Sequence, residues 1–211
     1  MSKFVERWDN TTKVSLSEKI RTSLRSPEPL RPKLERAIRG LQLQIQRLDN
    51  LHNRLTERDK QIFSKVVEAY SKHDMARATI YANELAEIRK MAKMVLKARL
   101  ALEQVVIRLS TIHELGEAVT VIAPAMGVIR NVRNGLSVLL PEAERELGEI
   151  SSLLSGLLVE AGQTAGLTIN FDVANEDAQK ILEEAAKVAE ERMKQRFPEL
   201  PSSLPSNAGS I

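Results

Sequence analysis

Residues 32 to 70 decide the fold of this chain, and they read PKLERAIRGLQLQIQRLDNLHNRLTERDKQIFSKVVEAY. Apolar side chains recur in this stretch at helical spacing, at Leu34, Ile38, Leu41, Ile45, Leu48, Leu55, Ile62 and Val66. No proline follows Pro32 here, and no glycine follows Gly40. The spacing predicts one long amphipathic helix. At 1.5 Å per residue it would be about 57 Å long, far longer than the average helix of a globular domain.

A second long helix is predicted after a short break. The break is Ser71-Lys72-His73-Asp74, in which Asp74 is a suitable N-cap. The apolar pattern then resumes at Ala78, Ala82, Leu85, Ile88, Ala92, Val95, Leu102, Val106 and Leu109. Because a short connection leaves the second helix nowhere to pack except along the first, we expect an antiparallel hairpin over about residues 32–113.

The chain changes character after this hairpin, where seven of its nine glycines lie between Gly116 and Gly166. Helical spacing persists, so we expect shorter helices over about 114–158. Glycine hinges such as Gly116, Gly127 and Gly135 would join them. Pro141 suits the first turn of one of these helices, since Glu142 and Glu144 follow it.

Composition supports an all-α fold, a long antiparallel hairpin followed by shorter hinged helices and a C-terminal helix. Only 3% of the 211 residues are aromatic, whereas strands are normally rich in aromatic residues. We divide the chain into an N-terminal arm, 1–26, a helical core, 27–158, and a C-terminal region, 159–211. The last comprises a flexible linker, an acidic helix over about 175–196 capped by Asn175, and a proline-rich tail.

No catalytic, metal or cofactor site is expected. The chain has no cysteine, which excludes a disulfide framework and a thiolate zinc site. Its histidines, His52, His73 and His113, lack the spacing of a metal motif. No glycine is followed by the Lys-Ser or Lys-Thr pair of a phosphate-binding loop. We therefore predict a protein that is not an enzyme.

The charges are divided between the two halves of the chain, with a net +10 over residues 1–110 and −7 over 111–211. At 100° per residue, an arc of about 40° on the first helix holds five basic residues. We call them the basic stripe: Arg36, Arg47, Arg54, Arg58 and Lys65. A one-sided stripe can lie on anionic lipid, where each basic group contributes about 1 kcal/mol. Many copies together would bind strongly. The alternative is that these side chains only solubilise a long helix.

The N-terminal arm carries a second signal for membrane contact. Phe4, Val5 and Trp8 lie beside Lys3 and Arg7, a combination that suits the headgroup boundary of a bilayer. The alternative is that the arm packs on the hairpin or on a neighbouring copy. Nucleic acid is not the expected partner, because aromatic residues do not alternate with the basic ones and no reading motif occurs.

Taken in order, the arm, the basic hairpin, the acidic region and the tail resemble a protein of the ESCRT-III family. The resemblance is greatest to its archaeal cell-division, CdvB-type members. In the tail, Glu199-Leu200-Pro201 and Leu204-Pro205 are similar to the proline-rich motif by which family members bind the MIT domain of an AAA ATPase. Two serines separate the Leu-Pro pairs, one residue more than in that motif. Proline stiffens an extended segment before binding and so reduces the ordering cost.

The resemblance implies a subunit that polymerises with itself and with ESCRT-III paralogs on anionic membrane. Its place would be the cytoplasmic face of the cell membrane at the division site, where filaments constrict or cut the membrane and the ATPase disassembles them. The filament core would be residues 32–157, and the acidic helix 175–196 would fold back over the hairpin as an autoinhibitor. Two alternatives remain open: a coiled-coil adaptor or scaffold that binds protein partners through its hairpin, and a nucleic-acid-binding helical protein.

Overall fold

A computed structural model of the chain describes residues 30–112, 115–165 and 171–198. These residues form five helices and no strand: α1 Leu30–Ser71, α2 Met75–Ser110, α3 Leu115–Leu136, α4 Pro141–Ala165 and α5 Phe171–Arg196. The all-α prediction is confirmed. Predictions for Phe4, Val5 and Trp8 of the arm, for His113, and for Glu199, Leu200, Pro201, Leu204 and Pro205 of the tail concern residues outside the described ranges.

The predicted hairpin is confirmed, and its turn is closed from both sides. At the end of α1 the Asp74 N–H donates to the Ala69 carbonyl and the His73 N–H to the Tyr70 carbonyl, both at 3.0 Å. This is a Schellman motif, with His73 at a φ of 58° in the position that glycine usually takes. Asp74 then begins α2, because its carboxylate accepts the Arg77 N–H at 3.1 Å. The predicted N-cap is therefore confirmed.

The hairpin has two separate apolar clusters. One lies near the turn and is built from α1 and α2 alone, by Ile62, Val66, Ala69, Ala78, Leu85 and Ile88. The other lies at the open end, where α3, α4 and α5 also contribute buried side chains. Here α2 packs against α1, α3 and α5, and consequently it is buried on several faces, with Leu96, Leu100 and Leu102 all enclosed.

Helix α3 corrects the expectation that glycines separate the shorter helices. It runs without interruption through Gly116, Gly127 and Gly135, since α2 ends at Ser110 and α4 begins at Pro141. Gly127 serves close packing instead, because a Cβ built there would lie 2.9 Å from the Cβ of Ala178 on α5. A hinge role for these glycines in another conformation stays a prediction.

The boundaries of α4 and α5 also differ from those predicted. α4 begins at Pro141 as expected, with Glu142 and Glu144 in its first turn, but it continues to Ala165 through the start of the predicted linker. Burial of Leu157, Leu158 and Ala161 in the core accounts for this extension. α5 begins at Phe171, so Asn175 lies inside the helix and does not cap it. Burial of Ala174 against the core fits this earlier start.

Within the described ranges, none of the helices combines the length and the apolar character needed to cross a membrane.

Replacing the N-cap of α2 should destabilise the hairpin. We expect Asp74→Ala to lower the free energy of unfolding by about 1 kcal/mol, because the Arg77 N–H then loses its partner. Urea denaturation measures this change. Asp74→Ser keeps an acceptor and should lose only a small part of the stability, so an equal loss in both variants would contradict the capping role.

Candidate functional site

The candidate site is the surface where the acidic half of the chain closes on the basic hairpin. Ion pairs between described residues cross it, among them Lys33 to Glu160 at 2.9 Å, Arg47 to Glu146 at 2.6 Å, and Lys93 to Glu190 at 3.5 Å. The first two join α1 to α4, and the third joins α2 to α5. Since ion pairs near the surface contribute only about 0–1 kcal/mol each, they orient the acidic helices more than they hold them.

Glu146 of α4 is the acidic residue most closely engaged by the hairpin. It accepts hydrogen bonds from Arg47 and from the amide of Gln44, a side chain that is itself buried in α1. The hydrogen bond from Arg47 holds the pKa of Glu146 below its usual value, against the opposing effect of burial. The carboxylate therefore stays ionised while α4 remains packed on α1.

All five residues of the basic stripe are exposed, but the stripe is less free than the sequence indicated. Arg47 is paired with Glu146, and Arg58 donates to Glu84 of α2 at 2.8 Å. Lys65 lies 5.7 Å from the centre of the Tyr81 ring. Arg54 makes no ion pair with any described residue. The acidic partners of Arg47 and Arg58 are 99 and 26 residues away in the chain, beyond the reach of a helical-periodicity argument.

A polar layer inside the hairpin was missed by sequence reasoning. Four polar residues of α1 are buried, namely Gln44, His52, Thr56 and Asp59. Asp59 accepts the Nε–H of Arg89 on α2 at 2.6 Å and an Nη2–H at 3.4 Å. Their spacing indicates burial, because positions 52, 56 and 59 continue the three-and-four spacing of the apolar stripe between Leu48 and Ile62. Burial was not predicted for them because their side chains are polar.

The end of α5 is held at this polar layer. The Arg89 guanidinium carbon lies 5.5 Å from the ring centre of Phe197 and 5.9 Å from that of Phe63, distances at which a cation is attracted to an aromatic face. Nη1 of Arg196 lies 3.4 Å from Nε2 of His52. The last turn of α5 is thus attached to the hairpin midway along α1.

His52 is buried beside a cation, which favours its neutral form. The residue is 1% exposed, and its Nδ1 makes no hydrogen bond with the rest of the described chain. Burial, and next the charge of Arg196, lower the pKa of His52. Arg99 lowers it further, while the backbone of Ala92 and the carboxylate of Asp49 oppose the shift.

The buried face of α5 consists mostly of small side chains, namely Ala174, Ala178, Ala185 and Ala189. Ile181 is its one fully buried large side chain, and Leu182 and Met193 are partly buried against the core. α4 instead buries Leu147, Ile150, Leu154, Leu157 and Leu158. Since full burial of a leucine or isoleucine side chain contributes about 1.5–3 kcal/mol and an alanine much less, α5 is the helix of the two that costs less to detach. The contact of Ala178 with Gly127 lets α5 approach α3 closely but buries little apolar area.

In the described ranges, no three His, Asp or Glu side chains come together as a group that could hold a metal ion.

Comparison with known proteins identifies the family. The chain is 40% identical over 200 residues to cell division protein B1 of Sulfolobus acidocaldarius, covering 95% of this chain and 90% of the relative. The chain belongs to the ESCRT-III-type family of archaeal cell division B proteins. The resemblance stated from the sequence is confirmed.

A second relative supports the same assignment. Cell division protein B of the same organism is 38% identical over 179 residues, which are 82% of this chain and 69% of the relative. No protein-family model and no solved structure matches the chain.

Burial of His52, together with its contact with Arg196, predicts that the stability of this family member depends on pH. The folded pKa of His52 is lowered from 6.5, so the unfolded chain binds more protons as the pH falls through that value. We therefore expect stability to decrease below about pH 6.5. His52→Gln should lose less stability than the wild type between about pH 7.5 and 5.5, as measured by urea denaturation. The variant retains His73 and His113, so equal losses in the two proteins would contradict this role of His52.

Proposed function

We propose that this chain is a membrane-remodelling filament subunit that takes part in archaeal cell division. It would act on the cytoplasmic face of anionic membrane at the division site, assemble with copies of itself and with ESCRT-III paralogs, and be disassembled by an AAA ATPase. The named relatives support the division role, and the proposed part is mechanical, without catalysis. The observation that carries the mechanism is the docking of α5 on the hairpin through small side chains, since such a helix can leave.

The docked helix represents the closed form of the subunit. It covers parts of α2 and α3, and in doing so hides surface that the filament core would need. The hairpin also has large apolar side chains exposed to solvent, among them Ile80 and Ile107, each at 65%. In a filament these side chains would be buried between subunits, which favours self-assembly.

Opening of the subunit is coupled in this proposal to lipid binding. Release of α5 frees Lys93 from Glu190, whereas Arg47 stays paired with Glu146 as long as α4 remains packed on α1. Arg54 is already exposed and free of carboxylates in the described chain. Opening therefore makes more positive charge available to anionic lipid. Each basic group near the surface adds about 1 kcal/mol to the free energy of lipid binding, in addition to any contribution from Phe4, Val5 and Trp8 of the arm.

Liposome sedimentation tests the proposal with a matched pair of variants. Gly127→Ala introduces a Cβ 2.9 Å from Ala178 and should displace α5, whereas Gly135→Ala introduces one with nothing within 4 Å. Both replace a helical glycine by alanine, so both gain about 1 kcal/mol of helix propensity. We expect Gly127→Ala to pellet several-fold more with anionic vesicles and to form filaments at lower concentration, and Gly135→Ala to behave as wild type.

The same assay separates the competing functions. Failure of wild type and Gly127→Ala alike to pellet or to form filaments visible by electron microscopy would remove the membrane role and favour a protein adaptor. Tighter binding to DNA than to anionic vesicles at equal ionic strength would favour nucleic acid.

The ATPase partner is tested separately with the tail. A peptide of residues 196–211 should bind the MIT domain saturably, and replacing Leu200 and Leu204 together by alanine should weaken binding at least tenfold. Ser202→Ala with Ser203→Ala is the matched control and should change little. Isothermal titration measures all three, and absence of saturable binding by the unmodified peptide would remove the ATPase from the proposal.

A further inference from the structure

The last turn of α5 contacts the hairpin through a histidine that can take up a proton. Nη1 of Arg196 lies 3.4 Å from Nε2 of His52. Because a guanidinium carries only N–H donors, Nε2 has to be the acceptor in this contact, and the proton of the neutral ring is then on Nδ1. A protonated ring carries an N–H at both nitrogens and accepts nothing. Uptake of a proton by His52 therefore removes the contact.

Charged groups face this ring from three helices. Asp49 lies three residues before His52 on α1, Arg99 faces the ring from α2, and Arg196 faces it from α5. Arg99 is balanced by Asp49 at 3.3 Å and by Glu103 at 2.8 Å, whereas Arg196 makes no ion pair with any described residue. A proton on His52 thus places a second positive charge next to Arg196, and Asp49, the carboxylate that faces the ring, is already paired.

Other polar groups close to His52 along α1 are also engaged. The Thr56 hydroxyl donates to the His52 carbonyl at 2.9 Å, and both oxygens of Asp59 accept from Arg89. The His52 residue is 1% exposed, so water reaches a charged ring only if a neighbouring helix moves. Burial of a charge without a partner is costly.

We infer that His52 is a pH switch for the subunit, in which uptake of one proton by its imidazole releases the end of α5 from the hairpin. α5 is the neighbour that moves, because α1 and α2 are joined along their whole length and α5 buries mostly alanines. The bound proton stays on the ring, and the freed guanidinium of Arg196 exchanges its ring acceptor for water.

The direction of the switch follows from the two states. Burial, and next the charge of Arg196, lower the pKa of His52 below 6.5 while α5 is docked. When α5 leaves, that charge is removed and the ring is less enclosed, so the pKa returns toward 6.5. The ratio of open to closed subunits therefore rises as the pH falls below about 6.5, by at most about tenfold for each pH unit, since one proton is bound. Above this pH the closed form keeps its full advantage.

The distance between two spin labels tests the opening directly. Because the chain has no cysteine, Ser71→Cys and Gln195→Cys allow one label at the hairpin turn and one near the end of α5. At 1.5 Å per residue, Ser71 lies roughly 28 Å along α1 from His52. We expect a narrow distribution around such a distance at about pH 7.5, and a longer, broader population that grows several-fold toward about pH 5.5.

The matched control for this measurement is His52→Gln in the same labelled chain. Glutamine keeps an acceptor for Arg196 but does not titrate, so its distances should change little over this pH range. Wild-type distances that do not respond to pH, or that respond equally in His52→Gln, would overturn the switch.

The reciprocal effect is measured by NMR titration of the His52 ring, whose signal is assigned by its absence from His52→Gln. Linkage requires that opening α5 by other means raise the pKa of His52. We expect a rise in Gly127→Ala, in which the new Cβ displaces α5, and none in Gly135→Ala, in which it meets no atom within 4 Å. An unchanged pKa in Gly127→Ala, together with label distances that show α5 displaced, would also overturn the inference.

Arg196→Gln extends this test to the contact itself without altering the buried core. Removing the guanidinium charge should raise the pKa of His52, whereas Arg192→Gln, one turn earlier on the same helix, should leave it nearly unchanged. Equal effects of the two substitutions would show that the ring responds to the general charge of α5 and not to this contact, which would contradict the switch.

A consequence for assembly rests on the proposed function. If open subunits are the ones that bind anionic membrane, wild type should pellet several-fold more with anionic vesicles at about pH 5.5 than at about pH 7.5, and His52→Gln should show a clearly smaller increase. Equal increases would overturn this link between the switch and the membrane. Failure of both proteins to pellet would remove the membrane role of the proposed function, while the label distances still decide whether a proton releases α5.

Discussion

Two helices of 42 and 36 residues can share an apolar seam along their length only if a short connection reverses the chain direction between them. The turn at residues 72–74 does this with a Schellman closure on one side and the Asp74 cap on the other. The hairpin is the largest helix pairing of the described chain, and α3, α4 and α5 each pack against one of its two helices. The groove between α1 and α2 sets where α3, α4 and α5 can lie, because each must cover apolar surface that the hairpin leaves exposed.

The polar layer across the seam gives the hairpin a defined register and a point of attachment. A buried ion pair such as Asp59 with Arg89 adds little net stability, because desolvation offsets most of the attraction. Sliding one helix along the other would nevertheless leave a buried charge without a partner, which is costly. The same Arg89 faces Phe197. The residue that fixes the register of the hairpin therefore also receives the end of the closing helix.

The packing of α5 on the rest of the molecule buries few large side chains. α5 contributes four buried alanines and one buried isoleucine, and its link from Glu190 to Lys93 is half-exposed on both sides. α4 contributes five large buried side chains. The two helices of the acidic half therefore differ in the apolar area that they bury, a difference that net charge alone would not reveal.

The amino-acid sequence by itself determined the all-α class, the hairpin, the Asp74 cap, the start of α4 and the family, because these depend on local periodicity, on capping chemistry or on a residue order that spans the chain. Only the tertiary structure decided that Arg47 is paired with Glu146, that His52 and Asp59 are buried, that α3 passes through its glycines, and that Phe197 reaches Arg89. Most of these features are contacts between residues roughly 30 to 145 positions apart in the chain. The course of α3 depends on how that helix packs against its neighbours. The physical reason is that helical spacing reports which face of a helix is apolar, whereas the partner of that face is set by the shape of the whole assembly.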